Sequence, residues 1–168
     1  MKAVSNASPL IYLAKIKQIK LLPQLFQEIL VPNRVYQETV IKGRELGYED
    51  ANLIYEQVQT GFIKIKRVSL EKQFLKEFPI GEGEKETIQL ALREKISTVL
   101  ADERKARIAA EMLGLKPLGT IGVLSLAVRR GVISKKQMKE DVLKLVKKGY
   151  RIREEILSAI LEELEKSP

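Results

Sequence analysis

The chain of 168 residues contains no cysteine and no histidine. Without cysteine it has neither a disulfide framework nor a thiolate metal site. Without histidine it lacks the usual general base, the commonest metal ligand and every Ser-His or Cys-His triad. Zinc chemistry of the familiar kinds goes with them. Catalysis, if present, must run on carboxylates, hydroxyls, amides, Lys or Arg, and such groups favour oxygen-loving ions such as Mg²⁺ or Mn²⁺. No apolar run reaches the length of a membrane span. Met1-Lys2-Ala3-Val4-Ser5 enters a strand-like pattern without a cleavable signal, so a cytoplasmic location is expected.

A chain of this length buries roughly 70% of its unfolded surface and needs no staples. Strand-like and helical segments alternate along it. Short apolar runs at Lys2–Ser5, Glu28–Val31, Phe62–Val68, Ile96–Ala101 and Lys116–Leu118 read as strands, and the basic alternation of Phe62–Val68 suits a sheet edge. Between them lie helical patterns closed by Gly47, Gly61, Gly114 and Gly131. This alternation predicts an α/β fold on a mostly parallel sheet with right-handed crossovers. The main domain is expected over residues 1–150, with a C-terminal helix over 151–168 packed on it or extending from it.

The net charge is +8, and residues 129–153 hold ten Lys or Arg against two acids, which accounts for the whole excess. Such a block either grips phosphates or is a solvated helix face. Lys144, Lys147 and Lys148 are its candidate nucleic-acid contacts, and Tyr150 is its one aromatic.

In a parallel sheet, ligands bind beyond the carboxyl ends of the strands. Asn6 and Asp102 each follow a strand and lead into a helix, where each is also a good N-cap. Glu84 stands four residues before Ile88 and shares its apolar helix face, where an uncompensated carboxylate is costly. A position near the positive helix end also favours an acid there. Glu38 follows Val31 and Val35 at helical spacing; the alternative is an edge-of-face glutamate whose head reaches water. Carboxylates from separate segments that meet at one edge repel unless a divalent cation joins them. The chain has no Gly-x-Gly-x-x-Gly after a strand and no phosphate-loop Lys, so a nucleotide-binding protein is the weaker reading.

Five blocks in order carry a resemblance. They are Val4-Ser5-Asn6-Ala7-Ser8-Pro9-Leu10-Ile11, Val31-Pro32-Asn33-Arg34-Val35-Tyr36-Gln37-Glu38, Gly81-Glu82-Gly83-Glu84 with the helix after it, Val99-Leu100-Ala101-Asp102-Glu103-Arg104-Lys105-Ala106-Arg107, and Gly119-Thr120-Ile121-Gly122-Val123-Leu124. Together they resemble a PIN domain, of the prokaryotic branch that opens with Ser-Asp/Asn-x-Ser-Pro-Leu. The resemblance implies a three-layer α/β/α sandwich with a central mostly parallel sheet, and Mg²⁺- or Mn²⁺-dependent cleavage of RNA. It also implies a toxin held by a small antitoxin protein, and a homodimer. It maps the family's metal-binding and catalytic positions onto Asn6, Glu38, Glu84 and Asp102, and supporting hydroxyls onto Ser8 and Thr120. Asn6 departs from the usual Asp, so the site carries three formal negative charges and not four. A catalytically degenerate RNA-binding or regulatory module is the alternative.

Overall fold

A computed structural model describes residues 1–166. Of the C-terminal segment 151–168, residues 167 and 168 lie outside the described residues. The element order is β1 (Ala3–Ser5), α1 (Ala7–Lys15), α2 (Leu21–Leu25), β2 (Ile29–Pro32), α3 (Asn33–Tyr36), a π-helical turn (Gln37–Ile41), α4 (Lys42–Glu45), α5 (Glu49–Gln59), β3 (Ile63–Lys66), α6 (Gln73–Glu77), α7 (Glu82–Glu94), β4 (Thr98–Leu100), α8 (Arg104–Met112), β5 (Lys116–Leu118), α9 (Thr120–Arg129), α10 (Lys135–Lys147) and α11 (Glu154–Glu165). The predicted elements are all present, most of them trimmed by a residue or more at their ends. The helical pattern closed by Gly47 is the one altered internally, because it is broken by the π turn.

The strands form one sheet in the order β3-β2-β1-β4-β5, and every pairing is parallel. Connections run outward from β1 to β3 on one side and from β4 to β5 on the other. The chain therefore changes direction between β1 and β4, and a crevice opens there beyond the strand ends. The basic strand predicted at an edge is the edge strand β3.

Side chains alternate across the sheet with period two. Ala3, Ile29, Val31 and Leu100 enter a core with α1, α2, α5, α9 and α10, through Leu10, Leu13, Leu22, Ile54, Leu124 and Leu145. Val4, Leu30, Val99 and Ala101 enter a second core with α6, α7 and α8, through Leu75, Ile88, Ala91 and Ala109. Two cores on opposite faces of one sheet make the three layers. The helix α11 packs on α10 and buries none of its residues fully. No helix among the described residues is long and apolar enough to cross a membrane.

Candidate active site

Asn6 and Asp102 follow the two strands that flank the change of direction. Ser5 pairs with Leu100, and the Asn6 N–H donates to the Leu100 carbonyl at 3.0 Å, so the two strand ends are locked side by side. Asn6 is buried and occupies the N-cap position of α1, but its side chain makes no capping hydrogen bond. The amide is therefore not spent on the helix.

Asp102 corrects one expectation. It does not cap the helix it leads into; Glu103 holds that position at α8. Its carboxylate reaches the start of α9 instead. Oδ1 accepts from the Thr120 N–H at 2.7 Å and from the Tyr150 hydroxyl at 2.8 Å. Oδ2 accepts from the Ser8 hydroxyl at 3.0 Å and the Thr120 hydroxyl at 2.8 Å. Four donors on one carboxylate, one of them at the positive end of a helix, hold the group in place. Ser8 and Thr120 thus both touch Asp102. Gly119 makes room for this, since a Cβ there would lie 3.0 Å from Asp102 Oδ1 and 3.0 Å from an Arg107 guanidinium nitrogen.

Glu84 lies in the first turn of α7, which packs on β1, β2 and β4 and begins at the same edge. Oε1 accepts from the Gly81 N–H at 3.2 Å, the one half of a capping box that a glycine N-cap can make, while Oε2 is buried with no hydrogen-bond partner. Burial pushes the Glu84 carboxyl above its ordinary value; the Gly81 N–H opposes this, and the neighbouring charges of Glu103 and Glu38 add to it.

Glu38 sits in the π turn after α3, and its head is exposed, as the edge-of-face alternative predicted. Such turns recur at functional sites because they re-aim a side chain within a helix. Its carboxylate leans against α7, where a Cβ on Gly83 would come within 3.3 Å of Oε1. The ion pair of Arg34 with Glu86, at 3.2 Å, ties α3 to α7 beside it.

The structure therefore brings Glu38 and Glu84 together, with Glu103 beside Glu84, and brings Asp102, Ser8 and Thr120 together next to Asn6. It does not draw all the acids to one point: among the described residues no three acidic side chains converge to enclose an ion. Lys144, Lys147 and Lys148 are exposed on α10 and after it, and Lys148 lines a separate hollow with Lys15 and Glu49. Sequence reasoning missed Glu103, Tyr150 as a partner of Asp102, and Arg104 and Arg107 beside it. Their signal was their spacing from Asp102, at one, two and five positions, and the isolation of Tyr150 as an aromatic within a basic block.

The model of the PIN domain family matches residues 2–166. The chain belongs to this family. No curated protein and no solved structure gives a match. PIN domains are generally nucleases and typically use divalent metals. The match runs through α11, so the C-terminal helix is part of what the family model covers.

The oxygens at the edge of this PIN domain suit a hard divalent ion. The buried, unpartnered Oε2 of Glu84 is the place where a cation would supply a missing contact, and it would also relieve the repulsion among Glu84, Glu103 and Glu38. Asp102 is different, because both its oxygens already accept two hydrogen bonds.

Proposed function

We propose that this PIN domain is a metal-dependent endoribonuclease that cleaves RNA phosphodiesters. Mg²⁺ or Mn²⁺ would be held by Glu84 and Glu38, with Asn6 and Asp102 on the adjoining strand ends. The observation that carries the reading is the buried Glu84 oxygen without a partner, set among other acids at the carboxyl edge of the sheet. When bound, such an ion lowers the pKa of water and offsets charge building on the phosphate. The chain's own part is placement. The Gly81 N–H fixes one Glu84 oxygen and leaves the other directed inward. The π turn and Gly83 set Glu38 against α7. Ser8 and Thr120 orient Asp102, and Asn6 offers a neutral amide oxygen. Lys144, Lys147 and Lys148 would meet RNA phosphates farther out.

In cleavage assays on single-stranded RNA, the protein should act with Mg²⁺ or Mn²⁺ and stop with EDTA. Glu84→Gln and Glu38→Gln should each lose activity by about a hundredfold or more. Undiminished cleavage in EDTA, or by Glu84→Gln, would contradict the proposal.

One pair of observations favours a second reading. Asp102 is saturated by protein donors and Asn6 brings no charge, which suits a degenerate RNA-binding or regulatory module. RNA binding without cleavage under any divalent ion would select it. The family resemblance also supports a wider role, a cytoplasmic toxin working as a homodimer and restrained by a small antitoxin protein.

A further inference from the structure

Beside Asp102 the surface opens into a cleft of about 760 Å³. One wall is α8, with Arg104 and Arg107. The other is the link from α10 to α11, with Tyr150, Arg151 and Arg153. The volume is that of a ligand site. Four arginines and two carboxylates, Asp102 and Glu111, line this one space, and among the described residues none of the four arginines makes an ion pair or a side-chain hydrogen bond to protein. Arg34 and Arg93, by contrast, each find a carboxylate. Four guanidinium groups against two carboxylates leave an excess of positive charge in the cleft, which a bound anion would offset. A guanidinium also presents a planar fork of donors that matches a phosphate.

Arg107 marks the join to the strand ends. Its guanidinium lies over Gly119, where a Cβ would meet it at 3.0 Å, next to Asp102 Oδ1. The charge of Arg107 is felt at the Tyr150 hydroxyl, which itself donates to Asp102. The cleft is thus continuous with the edge that holds Asp102. Tyr150 is the one ring that lines the cleft. Its hydroxyl is bound, and its ring meets Tyr12 edge-on at 5.0 Å and 88°.

We propose that this cleft binds the phosphate backbone of single-stranded RNA, with Arg104 and Arg107 on one side of the strand and Arg151 and Arg153 on the other. It rests on the nuclease reading only for the choice of RNA as the polyanion. Two walls of arginines suit successive phosphates along a chain, whereas a single phosphate would leave half of them unmet. With a single tethered ring in the cleft, recognition there is mainly by charge, with little base preference. The lysines of α10 lie outside the cleft and contribute less.

The test is fluorescence anisotropy with a labelled 2′-O-methyl oligonucleotide, which resists cleavage, in EDTA and at several salt concentrations. Arg104, Arg151 and Arg153 are exposed, so Gln at each should leave folding intact. Arg104→Gln and the pair Arg151→Gln, Arg153→Gln should each weaken binding, the pair by about tenfold at 0.1 M salt. The salt slope should fall by up to about one unit per arginine removed. Changing Lys144, Lys147 and Lys148 to Gln should have a smaller effect. Wild-type affinity and slope in all the arginine variants would overturn the proposal. Two competitors refine the outcome: inorganic phosphate displacing the oligonucleotide as well as a longer strand does would mean a single-phosphate site. A poly-glutamate peptide binding as tightly as the oligonucleotide, with the same arginine dependence, would mean an acidic protein partner. Either result would overturn the strand assignment. Arginine-dependent binding by a protein that never cleaves RNA would support the cleft and remove the nuclease reading.

Discussion

Asp102 and Glu84 lie on the same edge of one sheet, yet their surroundings differ. Asp102 accepts four hydrogen bonds from Ser8, Thr120 and Tyr150, while one oxygen of Glu84 is buried with none. At Asp102 the protein has provided every partner, so the carboxylate helps to hold β4, α9 and the α10–α11 link together. At Glu84 the carboxylate is raised in pKa by burial and by like charges, so it weakens the fold unless a cation arrives. A buried polar group that is satisfied contributes to stability, and one that is not calls for a partner such as a water or an ion.

Removing each group should expose the contrast. Asp102→Ala strands the donors of Thr120, Ser8 and Tyr150 and should cost about 3 kcal/mol in urea unfolding. Glu84→Gln keeps the oxygen that accepts from Gly81 and removes the charge, so the metal-free protein should unfold at higher urea near pH 7. Comparable losses in both variants would erase the distinction.

Asn6→Asp should tighten Mn²⁺ binding by about tenfold, by adding a fourth charge beside Asp102, and should lower metal-free stability. Equal affinity by calorimetry would mean that position 6 is not a ligand. Tyr150→Phe should cost about 1 kcal/mol for one lost hydrogen bond and free one acceptor site on Asp102. If Mn²⁺ affinity is unchanged as well, Asp102 acts as a brace and not as a ligand.

The smallest effect lies away from this edge. Asp141 on α10 is fully buried, bonded by Gln18 at 2.8 Å and Gln137 at 3.0 Å, with Lys144 and Glu140 the nearby charges. Burial raises its pKa above the ordinary 3.8, against the pull of both glutamines and Lys144. The folded state therefore holds its proton more firmly than the unfolded chain. Its contribution is full below the ordinary aspartate value and is lost as pH rises through the folded one. Asp141→Asn should unfold at higher urea than the parent at pH 8, by about 1 kcal/mol, and the gap should close toward pH 4. A gap independent of pH would place the cause in packing.

The layers and the sheet were legible in the sequence because each strand is a short apolar run and the helices between them close mostly at glycines. Gly47, Gly61, Gly114 and Gly131 all adopt the positive φ that such a stop requires. Asn6, Glu38, Glu84 and Asp102 were legible as edge residues because their segments end or begin there. The pairing among them was not. Spacing reports a helix face, but it does not report that Asp102 would reach across to Thr120, eighteen residues on, and to Tyr150, forty-eight residues on. Nor does a helical period reveal the π turn that carries Glu38. The basic block divided for a similar reason. Arg151 and Arg153 follow the end of α10 and turn into the cleft, whereas Lys144 and Lys147 remain on the helix surface.

The acidic group around Glu84 should take up a divalent ion. Isothermal titration with Mn²⁺ tests this most directly, on the parent protein and on Glu84→Gln. Saturable binding by the parent and at least about a tenfold weaker affinity in the variant are expected. No binding by the parent, or equal binding by both proteins, would contradict this.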